Sequence, residues 1–247
     1  MDRLIYTALS GMTDSATRLQ VLASNMANAQ TTGFRGETIF STPVTLKGPT
    51  VEARAMTDGE VRGVDMTPGP ITQTGRPLDV ALSGDALLAV QAEDGSEAYT
   101  RRGDLLAGPT GVLETGDGRP VIGSSGVPVT LPPGDLASIS PDGTIFVRDP
   151  ATPGQPPQQI DKLKLASARG STIAKDLDGL FRVVGGGALP GDDDARLTSG
   201  ALEQSNIKSS EVMVAMIEAQ RLFDLRTKLV TTAREVDESG TALMRMS

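Results

Sequence analysis

Ala215-Met216-Ile217-Glu218-Ala219-Gln220-Arg221-Leu222-Phe223-Asp224-Leu225-Arg226-Thr227-Lys228-Leu229-Val230 reads as a helix with a seven-residue apolar period. Ala215, Leu222, Leu229, Val236 and Leu243 form one stripe, and the small residues Ala219, Ala233 and Gly240 lie beside it. Met216, Phe223 and Val230 widen the apolar face enough to touch more than one partner, while Arg226 interrupts the small stripe and must snorkel or find a carboxylate. The opposite end of the chain carries the same signature. Ile5, Met12, Leu19 and Met26 recur every seven residues, with Ala8, Leu22 and Ala29 on the adjoining stripe. A seven-residue period keeps one stripe of a helix facing a partner helix. Pairing the two segments brings the ends of the chain together and extrudes the middle, an arrangement suited to a filament subunit. A narrow apolar strip at each end favours packing between subunits over a private core.

Composition narrows the chemistry. The 247 residues contain no cysteine, histidine or tryptophan. Zinc sites built on Cys or His, haem ligation, iron–sulfur clusters and any dyad or triad using imidazole or thiolate are thereby excluded. Carboxylate pairs and Ser–Lys pairs remain. Aromatic residues make up only 3% of the chain, which argues against platforms for stacking nucleobases. The net charge of −8 resides in the middle, because residues 1–35 carry +1 and residues 203–247 carry −1. Near-neutral ends can pack without net repulsion, and an acidic chain is a poor partner for nucleic acid. No run of eighteen apolar residues is present, so direct membrane insertion is not expected. The opening Met1-Asp2-Arg3-Leu4-Ile5-Tyr6 lacks a basic cluster, an apolar core and a small-residue cleavage site, so no cleavable secretory signal is expected.

The spacing predicts a helix over residues 2–30, with Gly33 suited to a left-handed cap after Thr31-Thr32. Asn25 and Asn28 share one face, where their carboxamides either bond a neighbouring backbone or stay solvated. From Phe34 to Pro77 the Thr-, Gly-, Pro- and Val-rich texture predicts extended segments and turns. Beyond it, Leu78–Leu82 alternates and Ala86–Val90 is continuously apolar. Turns are predicted at Glu93-Asp94-Gly95, Thr110-Gly111, Gly116-Asp117-Gly118 and Pro141-Asp142-Gly143, so this region reads as a small all-β domain. Gln159–Ala166 and Leu180–Val184 are further strand candidates, Pro150–Pro157 is a loop, and Gly185–Asp194 reads as a mobile one. A second helix is predicted from Ser205 or Asn206, either able to N-cap it, to Leu243. The expected fold class is α+β: long N- and C-terminal helices packed as a coiled coil, with a β-rich middle domain extruded between them. The expected divisions are an N-terminal helix in 1–35, an extended region in 36–77, the β-rich domain in 78–190, a return linker in 191–205 and a C-terminal helix in 206–247.

The short motifs carry no enzyme. Ser205-Asn206-Ile207-Lys208 matches a Ser-x-x-Lys pattern without its companion elements, so a helix cap is the better reading. Asp192-Asp193-Asp194 lacks the glycine and bidentate glutamate of a calcium loop and reads as a solvated acidic turn. Gly185-Gly186-Gly187-Ala188-Leu189-Pro190-Gly191 has proline where a dinucleotide loop needs glycine, and no Gly-Lys pair supplies a P-loop. Arg102-Gly103-Asp104 is an adhesion tripeptide of the kind that strand-and-turn sequences produce by chance. No catalytic residue, cofactor or metal is expected.

Leu22-Ala23-Ser24-Asn25-Met26-Ala27-Asn28-Ala29-Gln30-Thr31-Thr32-Gly33-Phe34-Arg35 closely resembles the N-terminal signature of bacterial flagellar rod and hook proteins. Gly200–Ile207 and Met216–Arg221 resemble their C-terminal signature, and Leu78–Gly84, Tyr99–Gly103 and Gly111–Leu113 their middle region. The opening Met1–Met12 is most similar to the proximal-rod branch, with the distal-rod branch as runner-up. Two departures bear on the branch: Ala86-Leu87-Leu88 stands where members commonly have Gly-Phe-Phe, and Phe223 where they have tyrosine. The resemblance implies a structural subunit whose terminal helices form the inner tube of an axial rod, with β-rich parts outside. It implies partners that are further copies and other rod proteins, export without processing through the flagellar type III apparatus, and a place in the periplasmic rod. The expected assembly surface then comprises Ile5, Leu9, Met12, Leu19, Leu22, Asn25, Met26, Asn28, Gly33 and Phe34 at one end, and Met216, Ala219, Leu222, Phe223, Leu229, Val230, Val236 and Leu243 at the other. A rival of another class is a β-domain enzyme merely dimerised by its helices, for which carboxylate catalysis is the only route.

Overall fold

The computed structural model describes residues 2–47, 52–134, 136–150, 152, 154–176 and 178–245; the side chains of residues 2–6, 41–62, 237 and 240–245 lie outside that description. The protein is α+β, with two helices and a β-rich middle. Its contacts divide it into two units: Met1–Ala29, Glu37–Gly63 and Ile207–Ser247 form one, and Gln30–Gly36 with Val64–Asn206 form the other. Among the described residues no helix is long and apolar enough to cross a membrane.

The first unit holds α1 (Asp2–Ala27), β1 (Glu37–Lys47), β2 (Glu52–Val64) and α2 (Ser209–Arg245). The two helices pack on each other, and α1 also touches β1, which forms a two-stranded sheet with β2. An isolated two-stranded sheet is marginal in water, so the support of α1 matters. Asn25 supplies part of it. Its buried carboxamide accepts the Glu37 N–H at 2.9 Å and donates to the Glu37 carbonyl at 2.9 Å, which matches both polar groups of one strand residue. Asn28 instead donates to the Ser24 carbonyl of its own helix at 2.9 Å.

Both helix ends differ from the sequence expectation. α1 stops at Ala27 rather than residue 30. Gly33 does adopt the left-handed conformation, with φ of 67°, but within the following turn rather than as the cap of the last helical residue. α2 starts at Ser209, and the Lys208 carbonyl accepts the first intrahelical bond, from the Val212 N–H. Lys208, rather than Ser205 or Asn206, immediately precedes its first residue. Asn206 is occupied elsewhere: its Oδ1 accepts the Gly36 N–H and its Nδ2 donates to the carbonyls of Asp65 and Thr67.

In the second unit β5 (Ala86–Gln91) is the strand around which the core forms. It lies inside a five-stranded antiparallel sheet, between β12 (Leu165–Ser167) and β6 (Glu97–Thr100), with β14 (Phe181–Val183) and β13 (Ile173–Lys175) beyond. Its run is continuously apolar because both faces are covered. Leu88 and Val90 enter one cluster with Val80, Leu105, Leu113 and Ile145, while Leu87 and Ala89 enter another with Tyr99, Ile122, Phe181 and Leu189. The predicted turns carry left-handed glycines at Gly95, Gly111, Gly118 and Gly143.

A three-stranded sheet joins β11 (Gln158–Lys162), β10 (Thr144–Arg148) and β9 (Leu136–Ile139). Three antiparallel pairs complete the unit: β4 (Val80–Leu82) with β15 (Leu197–Ser199), β3 (Ile71–Gln73) with β16 (Ala201–Glu203), and β7 (Leu105–Ala107) with β8 (Leu113–Thr115). The Gly185–Asp194 segment, expected to be a mobile loop, has an anchor. Leu189 is buried and its N–H donates to the Tyr99 hydroxyl, which itself donates to Glu97 at 2.7 Å. Burial, and then the Glu97 carboxylate, push the Tyr99 hydroxyl above its ordinary pKa, so it stays a donor throughout the physiological range.

Candidate assembly surface

α2 presents two different faces. Val212 and Ala219 are buried, and Met216, Phe223, Arg226, Val230 and Ala233 are half-buried. These positions alternate steps of three and four, the spacing of a helix–helix seam. Arg226 lies on this face and reaches α1, where its Nη1 donates to the Gly11 carbonyl and the Ser15 hydroxyl and sits 3.7 Å from Asp14 Oδ2. The cation that interrupts the small stripe thus finds both acceptors and a carboxylate on the partner helix. Gly11 and Arg226 lie about equally far from where the chain leaves α1 and enters α2, as an antiparallel pair requires.

The other face is bare. Leu222, Leu229 and Val236, on the stripe read first from the sequence, are 45%, 59% and 50% exposed. Leu225, one turn away between the first two, is exposed as well, and so are Met213, Val214 and Ile217 nearer the start of the helix. The covered seam therefore uses the small-residue stripe with its Met, Phe and Val neighbours, and the large aliphatic stripe remains uncovered in the single chain.

On α1, Met12, Leu19, Leu22, Met26 and Asn28 are half-buried, Asn25 is buried and Leu9 is exposed. Ile5 and Leu243 fall within the helices, but their side chains lie outside the described residues. Removing Arg226 should expose how far one polar seam residue fixes the pairing. Arg226→Leu should lower the thermal stability of the helix pair, since it withdraws the cation beside Asp14 and the donor to Gly11 and Ser15 while leaving those groups in place. It should also loosen the register, read as new cysteine cross-links between α1 and α2 one helical turn out of step.

Gly33 and Phe34 belong to the second unit. There the Gly33 N–H donates to the Glu203 carbonyl at 2.8 Å, and the Phe34 carbonyl accepts the Asn206 N–H at 3.3 Å. A Cβ at Gly33 would collide with the Arg101 backbone, so the close approach and the positive φ both demand glycine. Lys175 Nζ lies 3.6 Å from the Phe34 ring centroid and donates to the Arg35 carbonyl at 3.2 Å.

Beside them sits a fully buried triad. One oxygen of Glu203 pairs with Arg35 Nη2 at 2.7 Å, and the other with Arg101 Nη2 at 2.6 Å and Nε at 3.0 Å. Backbone groups meet further donors and acceptors: Gly69 N–H to Glu203, Arg35 to the Thr67 carbonyl, and Arg101 to the carbonyls of Leu82, Gly84 and Ala86, while the buried Arg35 Nε finds no acceptor among the described residues. Burial, then the neighbouring Arg101, lowers the Arg35 pKa from its ordinary value, and Glu203 opposes the change. Sequence reasoning passed over this triad. A signal was present in β16, where Ala201 and Glu203 share the inward phase of the strand, because a charge on that phase requires a buried partner.

Three family models match the chain in order: "Flagella basal body rod protein" over residues 5–35, "Flagellar hook protein FlgE/F/G D1 domain" over 81–147, and "Flagellar basal body rod FlgEFG protein C-terminal" over 198–243. Flagellar basal-body rod protein FlgF of Salmonella typhimurium is 40% identical over 253 residues, and that of Escherichia coli 38%, each alignment spanning both chains completely. Flagellar basal-body rod protein FlgG of Bacillus subtilis is 32% identical over 258 residues, covering 96% of this chain and 97% of its own. These are structural proteins rather than enzymes, and the chain belongs to the flagellar basal-body rod protein family.

Proposed function

We propose that this chain is a structural subunit of the proximal flagellar rod, polymerising through its terminal helices to transmit torque. The observation that carries the reading is the uncovered aliphatic stripe of Leu222, Leu229 and Val236 on a helix whose other face is already used against α1. A helix with two apolar seams suits a tube, in which every helix has neighbours on more than one side. In this reading α1 and α2 form the axial core as a coiled coil, β1 and β2 extend from it, and the β-rich unit of Gln30–Gly36 and Val64–Asn206 lies outside, which moves the expected divisions at 35, 77 and 190–205 to the observed unit boundaries. The partners are further copies and other rod proteins. Full-length identity to rod proteins named FlgF supports the proximal position, and the relatives named FlgG keep the distal rod as the second reading.

Purified protein should form helical polymers, visible by electron microscopy, without turning over any substrate. A monodisperse dimer with hydrolytic activity would favour the enzyme rival. In the monomer the terminal segments lack the neighbours that a two-seamed helix requires, so hydrogen exchange should be fast in 2–30 and 206–243 and slow in the core strands of 80–185. Slow exchange throughout both terminal segments of a verified monomer would contradict this. The reading also has the chain pass through the flagellar type III apparatus uncleaved into the periplasmic rod. Mass spectrometry of isolated basal bodies should find it starting at Met1 or Asp2, and a start beyond residue 10 would overturn that route.

A further inference from the structure

The chain passes four times between its two units, at residues 29–30, 36–37, 63–64 and 206–207. Within the β-rich unit, the segments that precede or follow these passages are tied to one another. Asn206 accepts the Gly36 N–H at 2.9 Å, donates to the Asp65 carbonyl at 2.8 Å, and gives its own N–H to the Phe34 carbonyl. The Asp65 N–H donates to the Gly36 carbonyl at 2.8 Å. Three residues before Asn206, Glu203 holds Arg35 through its carboxylate and Gly33 through its carbonyl, and it also takes the Gly69 N–H. Segments 30–36, 64–69 and 203–206 therefore meet on two side chains.

We infer that residues 30–36 act as a latch: this strap docks onto Glu203 and Asn206, completes the β-rich unit, and fixes the points at which its four chain ends leave. Buried charge supplies the selectivity of the docking. Without Arg35 the Thr67 carbonyl loses its guanidinium donor and the Glu203 carboxylate one of its two counter-charges, and an uncharged side chain replaces neither. The inference concerns the single chain and is independent of the rod reading.

Hydrogen exchange on the full-length monomer tests it. In Arg35→Met, the amides of Gly69, Gln204 and Gly33 should exchange more than about tenfold faster, while the amides joining β9, β10 and β11 stay unchanged. Acceleration confined to residues 30–36 would make the strap a passive linker and overturn the inference. Uniform acceleration across the unit would overturn it too, since Arg35 would then be an ordinary core residue. Should Arg35→Met fail to fold, Asn206→Ala decides, because its side chain is only half-buried. There the Gly36 and Asp65 amides should speed up together, and an unchanged Asp65 amide would refute the latch.

Discussion

Leu222→Asp should abolish motility and stop the axial structure, while the isolated subunit keeps its β-rich unit folded and is still exported. Leu222 is almost half exposed in the single chain, so a carboxylate there meets water and costs the monomer little. In a helix–helix seam between subunits the same carboxylate loses its water without an assigned partner. Such burial costs several kcal/mol unless the group becomes neutral, and it recurs in every copy. The exposed Leu229 should behave alike.

Ala219→Asp makes the opposite test, since Ala219 is buried on the covered face and its replacement should disturb the helix pair before any assembly. Asp193→Ser, which removes a solvated charge from a loop, should cost within about 0.5 kcal/mol and leave cells swimming. Swimming Leu222→Asp cells with the variant confirmed in their rods would show that this stripe is not an assembly surface.

Glu203→Gln should have the largest effect on stability. The carboxylate is the counter-charge for two buried guanidinium groups, and Gln leaves both without it. Breaking a buried ion pair by removing one partner costs about 3–5 kcal/mol, because the remaining charge is uncompensated. Thermal or urea unfolding of the β-rich unit should show this loss, or a failure to fold at all. By contrast, Glu211→Gln breaks the exposed pair with Lys208 at the start of α2 and should change stability by no more than about 0.5 kcal/mol. Equal effects of the two substitutions would mean that the triad is better hydrated than its burial implies.

The seven-residue pattern at both ends was legible because a helix imposes its period locally, and the strands around Ala86–Gln91 were legible from their apolar run and flanking turns. The assignment of faces was not. Leu222, Leu229 and Val236 form the more hydrophobic stripe, yet α1 takes the face with Ala219 and Ala233, where small side chains allow close approach. Hydrophobicity alone cannot say which of two stripes is satisfied within the chain.

Asn206 was misread for a related reason. As a residue just ahead of a helix it has the chemistry of a cap, but its carboxamide bonds residues some 140 to 170 positions earlier. Glu203 finds Arg35 and Arg101 in the same way. Partners set by tertiary structure leave no local period, and only the inward phase of Glu203 in β16 hinted at them.

The order in which the β-rich unit is stitched has a consequence for synthesis. Its early strands β3 and β4 pair with its last two, β16 and β15, and Arg35 waits for Glu203. On a ribosome earlier residues emerge first, so these pairings must wait until residues 197–203 have appeared. α1 waits longer still for α2. Contacts so distant in sequence form slowly, because loop closure comes before its reward. A nascent chain of this topology can form its local hairpins early, but leaves β3, β4 and Arg35 without partners until residues 197–203 emerge.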